Sequence, residues 1–488
     1  MAWQWPWTRT RRRLKREYTA AAAGRLTADW LTPGTSADAE IQGSLPRIRN
    51  RARSMDRNTP YVPQLKRLYR DNIVGPAGIQ LQMQVARLRG GGLDDAANTG
   101  VETAWRRWCR RESCDVAGLL SFRDYEWLTA MSSIDTGETL IRLVRRAFGA
   151  GNRIPLALEM IEADQLDLNY AGPLLAPDNR WRLGIEINRW GRPQRYAIAT
   201  HHPGDMLTSG SNPAQRRVEL VPAEDVIHVY WPTRTGQTRG MPVVAPILAD
   251  AHQQNGYEEA ATIRARAAAS QMGFITNGDG ELTGDGVQDN QRVTDFEPGV
   301  FKYLAPGESV TIPQMNAPDS QLEMFVRQKG RRQAAGTGVS YASLTRDASQ
   351  ASYSSQRQEY LQDQDAWSVL QAQLIERLHD RVFREWLPMA VLAGAVRISD
   401  FEIRPDRYLD AAQWQPRGWA WVDPKKEADA YVISEQAGYT SKIRICAGLG
   451  TTYEQVLKDK AAEAALERQY QISMTAPEIA ADPPPPDA

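Results

Sequence analysis

The chain has few cysteines and few histidines. Of its 488 residues, 3 are cysteine and 5 are histidine. An odd and sparse set of cysteines argues against a disulfide framework and favours a reducing cytoplasm. Cys109 and Cys114 have neither a second pair of cysteines nor a neighbouring histidine, so no zinc site is expected. We therefore expect no metal and no other cofactor.

Long hydrophobic runs are also missing. The longest apolar stretch, residues 386–396, contains Pro388 and is bounded by charged residues. It is too short to span a bilayer. At the amino terminus, three tryptophans precede the basic run, which is the reverse of the order in a signal peptide. These features predict a soluble protein with no membrane partner.

The motifs of common catalytic sites are absent. There is no G-x-x-x-x-G-K-[ST] loop to cradle a phosphate, no H-E-x-x-H and no G-x-S-x-G elbow. The GTGVSY segment at residues 336–341 follows a predicted helix rather than a strand, which argues against a dinucleotide site. The sequence therefore predicts no catalytic residue. Because catalytic groups meet in space and not in sequence, an enzyme stays open as an alternative.

Charge is balanced overall but unevenly distributed. Lys and Arg together number 59, as do Asp and Glu, which excludes a polycation that simply coats nucleic acid. Residues 1–70, however, hold 15 basic residues against 5 acidic ones. The basic arm at residues 1–44 is either a solvated, flexible segment or a contact for phosphate or an acidic partner surface.

Residue periodicity predicts an α+β fold in the first half of the chain. Helical patterns cover residues 45–74 and 94–134, and Gly75-Pro76 is a strong helix terminator between them. Alternating apolar residues predict strands at 77–87 and 138–148. Further short strands up to residue 230 suggest a twisted mixed sheet.

The second half begins with two predicted helices that flank a loop and a hairpin. Residues 243–272 are rich in alanine, and such small side chains let neighbouring helices approach closely. A Gly/Asp-rich loop at 276–297 precedes a hairpin of strands 300–304 and 309–312. A polar, basic helix then runs from Asp319 or Ser320 to Gly336 or Gly338.

A polar loop at residues 339–352 leads into a long helix. Apolar side chains recur every three or four residues over 353–387, which predicts a core-facing helix. A strand is expected at 398–404, followed by helices at 425–436 and 452–469. The proline-rich, acidic end of the chain, residues 473–488, is expected to be disordered.

Several sequence blocks together resemble the lambda-type family of tailed-phage portal proteins. The resemblance covers residues 45–470. The blocks that carry it are NIVG (72–75), GMPVVAPIL (240–248), EPG (297–299), LAPGE (304–308), AAGTGVSY (334–341), LTRD (344–347), SYSSQR (352–357) and WVDPKKEADA (421–430).

The resemblance implies a ring, usually a dodecamer, at one vertex of the virion capsid. Double-stranded DNA would pass through its axis during packaging and ejection. The large subunit of terminase would dock there first, and head-completion or tail adaptor proteins later. The major capsid protein or a scaffold protein would surround the ring.

Portal subunits have a wing of mixed sheet and helices, a two-helix stem, a small α/β clip and a helical crown. The corresponding ranges here are wing 45–241, first stem helix 242–273, clip 274–318, second stem helix 319–338, tunnel loop 339–352, long wing helix and strand 353–400, and crown 401–472.

The resemblance and the basic cluster together give candidate site residues. The candidates for the DNA channel are Lys329, Arg331, Arg332 and Arg346. The candidate tunnel-loop residues are Tyr341, Ser343, Leu344, Thr345, Asp347, Ser349 and Gln350. The candidate clip residues, facing partner proteins, are Asp279, Glu281, Asp285, Pro306, Gly307 and Glu308.

Two other functions stay open at this point. One is a DNA-processing enzyme of packaging, either a terminase-like ATPase or a nuclease. The absent phosphate loop argues against the ATPase, and the scattered carboxylates argue against the nuclease. The other is a different ring-forming connector or a capsid component.

Overall fold

The structure is a computed structural model and has an α+β fold. It describes residues 25, 29, 32–205, 217–269, 274–277, 287–288, 291–292, 308–311, 322–349, 352–419 and 424–470. The helices are α1 (Ala37–Asn58), α2 (Tyr61–Tyr69), α3 (Asp95–Trp108), α4 (Arg111–Cys114), α5 (Phe122–Asp135), α6 (Leu248–Ala269), α7 (Leu322–Thr337), α8 (Tyr341–Thr345), α9 (Tyr353–Leu374), α10 (Asp380–Leu392), α11 (Pro405–Leu409), α12 (Pro424–Gln436), α13 (Lys442–Gly448) and α14 (Tyr453–Tyr470). The strands are β1 (Gln80–Met83), β2 (Glu138–Val144), β3 (Ala157–Ile161), β4 (Arg180–Arg182), β5 (Ile185–Ile187), β6 (Pro193–Ala199), β7 (Val218–Pro222), β8 (Val226–Tyr230), β9 (Phe274–Asn277), β10 (Val287–Gln288), β11 (Gln291–Arg292), β12 (Glu308–Thr311) and β13 (Ala412–Gln415).

Two antiparallel sheets form the β part of the first half. One has the strand order β3-β2-β8 and the other β4-β5-β6-β7, and every pairing in both is antiparallel. The prediction of one mixed sheet is therefore wrong. The connections from β4 to β5 and from β5 to β6 are too short to carry the chain back for parallel pairing.

Strand β2 is buried on both faces. Leu140 packs with apolar side chains of the four-stranded sheet, whereas Ile141 and Leu143 belong to the main helical core. Successive side chains of a strand point to opposite faces, so β2 lies between two hydrophobic layers. This position explains why Leu140 and Ile141, which face opposite sides of the strand, are both apolar and both buried.

The long helix supplies much of the main core, as its spacing predicts. Trp367, Leu374, Leu378, Val382 and Trp386 are all buried. The Trp386 ring lies 5.0 Å from that of Trp105 on α3, measured between centroids. The helix runs on to Leu392, beyond the predicted end.

A π-helical turn at Ile375–His379 joins α9 to α10. His379 in this turn is fully buried, and its Nε2 lies 2.6 Å from a carboxylate oxygen of Glu126 on α5. The same oxygen of Glu126 accepts a hydrogen bond from the Ile79 backbone N–H, at 3.0 Å. The turn thus links the long helix to α5 and to the chain just before β1.

Helix boundaries follow their capping residues. The first helix begins at Ala37, earlier than the predicted residue 45, because the Ser36 hydroxyl accepts a hydrogen bond from the Ala39 N–H. Helix α2 continues as a π-helical turn at Arg70–Val74, which stops, as predicted, at Gly75 with a φ of +78°. That left-handed conformation favours glycine.

Two predictions about strands need correction. The predicted strand 77–87 is shorter, Gln80–Met83, and it pairs with β13, which was not predicted. The segment 398–404 is not a strand but a turn. The Asp400 carbonyl accepts the Arg404 N–H at 3.0 Å, and its carboxylate accepts the Tyr408 hydroxyl, so local hydrogen bonds replace a ladder.

The carboxyl-terminal helices were mostly predicted. Helices α12 and α14 match the predicted ranges, whereas α13, capped by the Ser441 hydroxyl, was missed. None of the helices in the described ranges has the length and apolar character needed to cross a bilayer.

Glu138 lies at the centre of a buried ionic cluster. Its carboxylate accepts hydrogen bonds from Arg49 at 2.7 Å and from Arg239 at 2.5 and 2.8 Å. The second oxygen lies 3.0 Å from His228 Nε2 and accepts the Gly240 N–H at 2.6 Å. Although burial alone would raise the pKa of Glu138, the two arginines hold this pKa well below its usual value.

The cluster fixes the chain that enters α6. Gly240 crosses Gly137 so closely that a Cβ on Gly240 would collide with the Gly137 carbonyl oxygen. Arg239 also donates to the Leu183 carbonyl, at 2.8 Å, and so reaches the four-stranded sheet. The cluster therefore joins α1, both sheets and the start of the α6 segment.

Helices α6 and α7 pack side by side at a position that requires glycine. A Cβ on Gly336 would lie 2.5 Å from Cγ2 of Ile247 in the turn before α6. One turn further along, Gln333 donates to Gln254 across the pair at 2.7 Å, and both side chains are buried. The predicted close approach of the two helices is confirmed at this end, although α6 begins at Leu248 rather than 243.

Stability is expected to fall on mild acidification because of His228. Burial, the dominant effect, lowers the pKa of His228 below 6.5 in the folded protein. Below a pH of about 6.5 the unfolded chain binds a proton that the folded one does not, which costs up to about 1.4 kcal/mol per pH unit. His228→Gln should therefore lose less stability than the wild type between pH 7.5 and 5.5, measured by chemical denaturation.

His252→Gln is the matched control. His252 is an exposed residue on α6, so removing it should leave the pH dependence of stability unchanged. Identical pH dependence in the wild type and in His228→Gln would contradict the interpretation.

Gly336→Ala should destabilise the protein by about 1–3 kcal/mol, because the added methyl group overpacks the contact with Ile247. Gly256→Ala provides a control of opposite sign. Gly256 lies on α6 with nothing within 4 Å of its added Cβ, so the substitution should stabilise by up to about 1 kcal/mol. Denaturant midpoints of the two variants test the pair, and equal stabilisation by both would refute the close packing.

Candidate nucleic-acid interface

The four predicted channel cations lie on α7 and directly after α8. Three of them, Lys329, Arg331 and Arg332, share one stretch of α7. Arg346 follows the last residue of α8 as its carboxyl cap. The structure separates these four residues into two kinds.

Lys329 and Arg332 share one carboxylate partner within the subunit. Asp250, in the first turn of α6, accepts a hydrogen bond from Lys329 Nζ at 2.9 Å and one from Arg332 Nε at 2.9 Å. The hydrogen bond from Lys329, reinforced by Arg332, lowers the pKa of Asp250. These two cations therefore hold α7 against α6, and their shared carboxylate offsets one of the two positive charges.

Arg331 and Arg346 are exposed and have no carboxylate partner within the described ranges. The guanidinium of Arg331 lies 5.9 Å from the centroid of the Tyr341 ring. Arg346 has a φ of +59°, an uncommon left-handed conformation for a residue with a side chain. Both guanidinium groups are available for an anion.

The neighbouring Arg327 is engaged differently. It pairs with Glu323 one turn earlier, at 2.7 Å, and lies 4.0 Å from Asp347. Its exposure is low, so it does not add to the free charge of Arg331.

The predicted tunnel loop, residues 339–352, is partly helical. Residues Tyr341–Thr345 form α8, which begins where the Ser340 hydroxyl accepts the Ser343 N–H. The Thr345 hydroxyl donates to the Tyr341 carbonyl at 2.8 Å, and Leu344 is buried in the main core. The prediction of a continuous loop is wrong because side-chain caps stabilise a short helix that has only one buried apolar residue.

The remaining tunnel-loop candidates form a hydrogen-bonded turn after α8. Asp347 accepts the Ser349 N–H at 3.0 Å and the Tyr341 hydroxyl at 3.2 Å. The hydrogen bonds from Ser349 lower the pKa of Asp347, so this carboxylate is charged at neutral pH. Gln350 lies outside the described residues.

Most of the predicted clip residues also lie outside the described part of the chain. These are Asp279, Glu281, Asp285, Pro306 and Gly307. Glu308 begins β12, which pairs with β9 in antiparallel register. The strand predicted as its partner, 300–304, lies outside the described residues.

Sequence reasoning missed two acidic residues of this region, Asp250 and Asp363. Asp250 is separated from Lys329 by 79 positions, so periodicity could not reveal their pairing. Asp363, on α9, accepts hydrogen bonds from Ser340 and Ser343. A buried acidic residue within the predicted apolar face of α9 was the available signal.

One group of possible metal ligands occurs in the described ranges, away from these residues. Carboxylate oxygens of Glu162 and Asp164 and a ring nitrogen of His202 lie within 4.8 Å of one another. Both carboxylates are already paired with the Arg53 guanidinium. A cation would have to displace that arginine.

The family model and the relatives with similar sequences point to the same family. The sequence model of "Phage portal protein, lambda family" matches residues 23–371. A probable portal protein of Halomonas phage phiHAP-1 is 30% identical over 425 residues, covering 86% of this chain and 80% of the relative. Portal protein B of Escherichia phage lambda is 23% identical over 481 residues, covering 90% and 87%.

Among solved structures, a chain from the neck of an empty gene transfer agent (GTA) particle matches with a TM-score of 0.45 and 15% identity. That match covers 88% of this chain and 98% of the other. By the family match and its relatives, this chain belongs to the lambda family of phage portal proteins, structural components of the head–tail connector.

Proposed function

We propose that copies of this chain form a closed ring, a dodecamer, whose central channel conducts double-stranded DNA into and out of the capsid. The observation that carries the proposal is the separation of the cations around α7. Lys329 and Arg332 are paired inside the subunit, whereas Arg331 and Arg346 are exposed and unpaired by any described residue. Two free charges per subunit suit a surface that DNA must slide along.

A sliding contact limits how many cations the surface should present. Each neutralised phosphate adds salt-dependent affinity, so a dense basic lining would hold the duplex in place. A few guanidinium groups, repeated around a ring, attract the backbone without reading its sequence. The polar residues of 340–349, with Asp347 charged, fit the same requirement.

The carboxyl-terminal helices support assembly with other copies. None of the side chains described at residues 425–470, which span helices α12, α13 and α14, is buried. Large apolar side chains are exposed on and between these helices, among them Ile433, Tyr439, Ile443 and Leu466. A neighbouring subunit in a ring would cover such residues through a head-to-tail interface that closes on itself.

The proposed segments take the roles of the portal parts. Helices α6 and α7 form the stem and are the wall of the channel, 339–352 is the tunnel segment, and 401–472 is the crown. The 274–318 segment, which contains β9 and β12, is the clip, where the terminase large subunit and later the head-completion and tail adaptor proteins dock. The wing faces the major capsid or scaffold protein.

The proposed role includes no catalysed reaction. The ring assembles in the host bacterial cytoplasm, takes its place at one capsid vertex of the virion and needs neither a catalytic residue nor a cofactor. The energy for packaging comes from the terminase. Hydrolysis of ATP by the purified chain alone would contradict this division of labour.

The two kinds of cation should differ in their effect on DNA binding. Arg331→Gln and Arg346→Asn should each reduce the slope of log affinity against log salt by up to about 0.9 per lost phosphate contact. Asparagine is chosen for position 346 because it tolerates a left-handed conformation. The measurement is the affinity of a short duplex for the assembled protein, at several salt concentrations.

Lys329→Gln is the matched control, because it removes one charge from the same helix as Arg331. Since Lys329 is already paired with Asp250, its loss should change the slope by much less. Equal slopes for the wild type and the two arginine variants would contradict the proposed contact.

A further inference from the structure

Asp363 holds α8 against α9 through three hydrogen bonds. One carboxylate oxygen accepts the Ser340 N–H at 2.9 Å. The other accepts the Ser340 hydroxyl and the Ser343 hydroxyl, each at 2.7 Å. All the donors come from residues 340–343, at the start of α8.

Within the described part of the chain, the Asp363 carboxylate has no polar partner other than Ser340 and Ser343. Asp363 is only 7% exposed, and no cation of the described ranges forms an ion pair with it. A buried charge is costly unless it is paired or hydrogen-bonded. A small displacement of α8 from α9 would therefore break these hydrogen bonds before water could replace them, which makes such a displacement unfavourable.

The position of Arg346 follows from that of α8. The Arg346 N–H donates to the Ala342 carbonyl at 2.8 Å, which closes the helix directly before the exposed guanidinium. The next residue, Asp347, returns to the Tyr341 hydroxyl. The segment 340–347 is thus one hydrogen-bonded unit, and Asp363 connects it to the long helix.

We propose that Asp363 is a positioning residue that fixes α8 on α9 and thereby keeps Arg346 at a constant place on the long helix. This inference rests on the proposed function for the role of Arg346, but the position itself does not depend on DNA. In the assembled ring, each subunit would then present Arg346 at the same height and depth in the channel. A passing duplex would therefore meet guanidinium groups at fixed positions.

Hydrogen exchange tests the position without DNA. In the assembled full-length protein, Asp363→Ala should accelerate exchange of the amides of residues 341–345 about tenfold or more, since hydrogen bonds to a charged group are lost. Asp365→Ala is the matched control, because Asp365 lies exposed on the same helix. It should leave the exchange of 341–345 unchanged.

A milder variant guards against a failure to assemble. Ser343→Ala keeps Asp363 and removes one of its three donors, so it should accelerate the same amides to a smaller extent. Unchanged exchange in 341–345 in both Asp363→Ala and Ser343→Ala would overturn the inference.

A double-mutant comparison tests the consequence for Arg346. Arg346→Asn should weaken binding of a short duplex in the wild-type background and have at most half that effect, as a fold-change, in the Asp363→Ala background. An equal effect in both backgrounds would overturn the positioning role. If Arg346→Asn has no effect in the wild type, the proposed DNA contact fails, and the exchange result alone decides whether Asp363 fixes α8.

Discussion

The buried carboxylate of Glu138 is the constraint on which the arrangement of the first half depends. It sits between two buried arginines, Arg49 from α1 and Arg239 from the segment before α6. Removing the Glu138 carboxylate would leave two buried arginines without their shared partner, and breaking a buried ion pair in this way typically costs about 3–5 kcal/mol. The helical layer, the two sheets and the entry to α6 therefore have one common fixed point.

From this cluster, a series of packing contacts leads through α6 to the candidate channel cations on α7. Residues 239–242 are held against Gly137 and Glu138, and α6 begins a few residues later. Gly336 allows α7 to approach Ile247, and Asp250 then captures Lys329 and Arg332. The exposure of Arg331 is a consequence of this packing, because the neighbouring cations on the same helix are turned toward α6.

The same logic explains how a polar segment becomes well positioned. Residues 340–349 contribute little apolar surface apart from Tyr341 and Leu344, so packing alone would define them weakly. Their side chains instead cap the backbone and converge on the buried Asp363. Directional hydrogen bonds replace hydrophobic contacts where the surface must stay polar.

Sequence patterns predicted the features that depend on local spacing. The buried face of the long helix, the stop at Gly75 and the end of α7 next to Gly338 follow from periodicity and terminator residues, and the structure has all three. The pairing of β1 with β13 joins positions more than 300 residues apart and leaves no local signal. The Glu138 cluster, the ion pair of Lys329 with Asp250 and the hydrogen bonds of Asp363 likewise join residues that are not neighbours in the sequence. For this reason four equivalent cations were predicted where the structure has two free ones.

The most direct test of the whole account is a density map of the purified, assembled protein by cryo-electron microscopy. The account predicts an annular oligomer with α6 and α7 around a central hole and with Arg331 and Arg346 facing that hole. Monomers under every assembly condition, or a ring in which these two arginines lie on the outer surface, would contradict it.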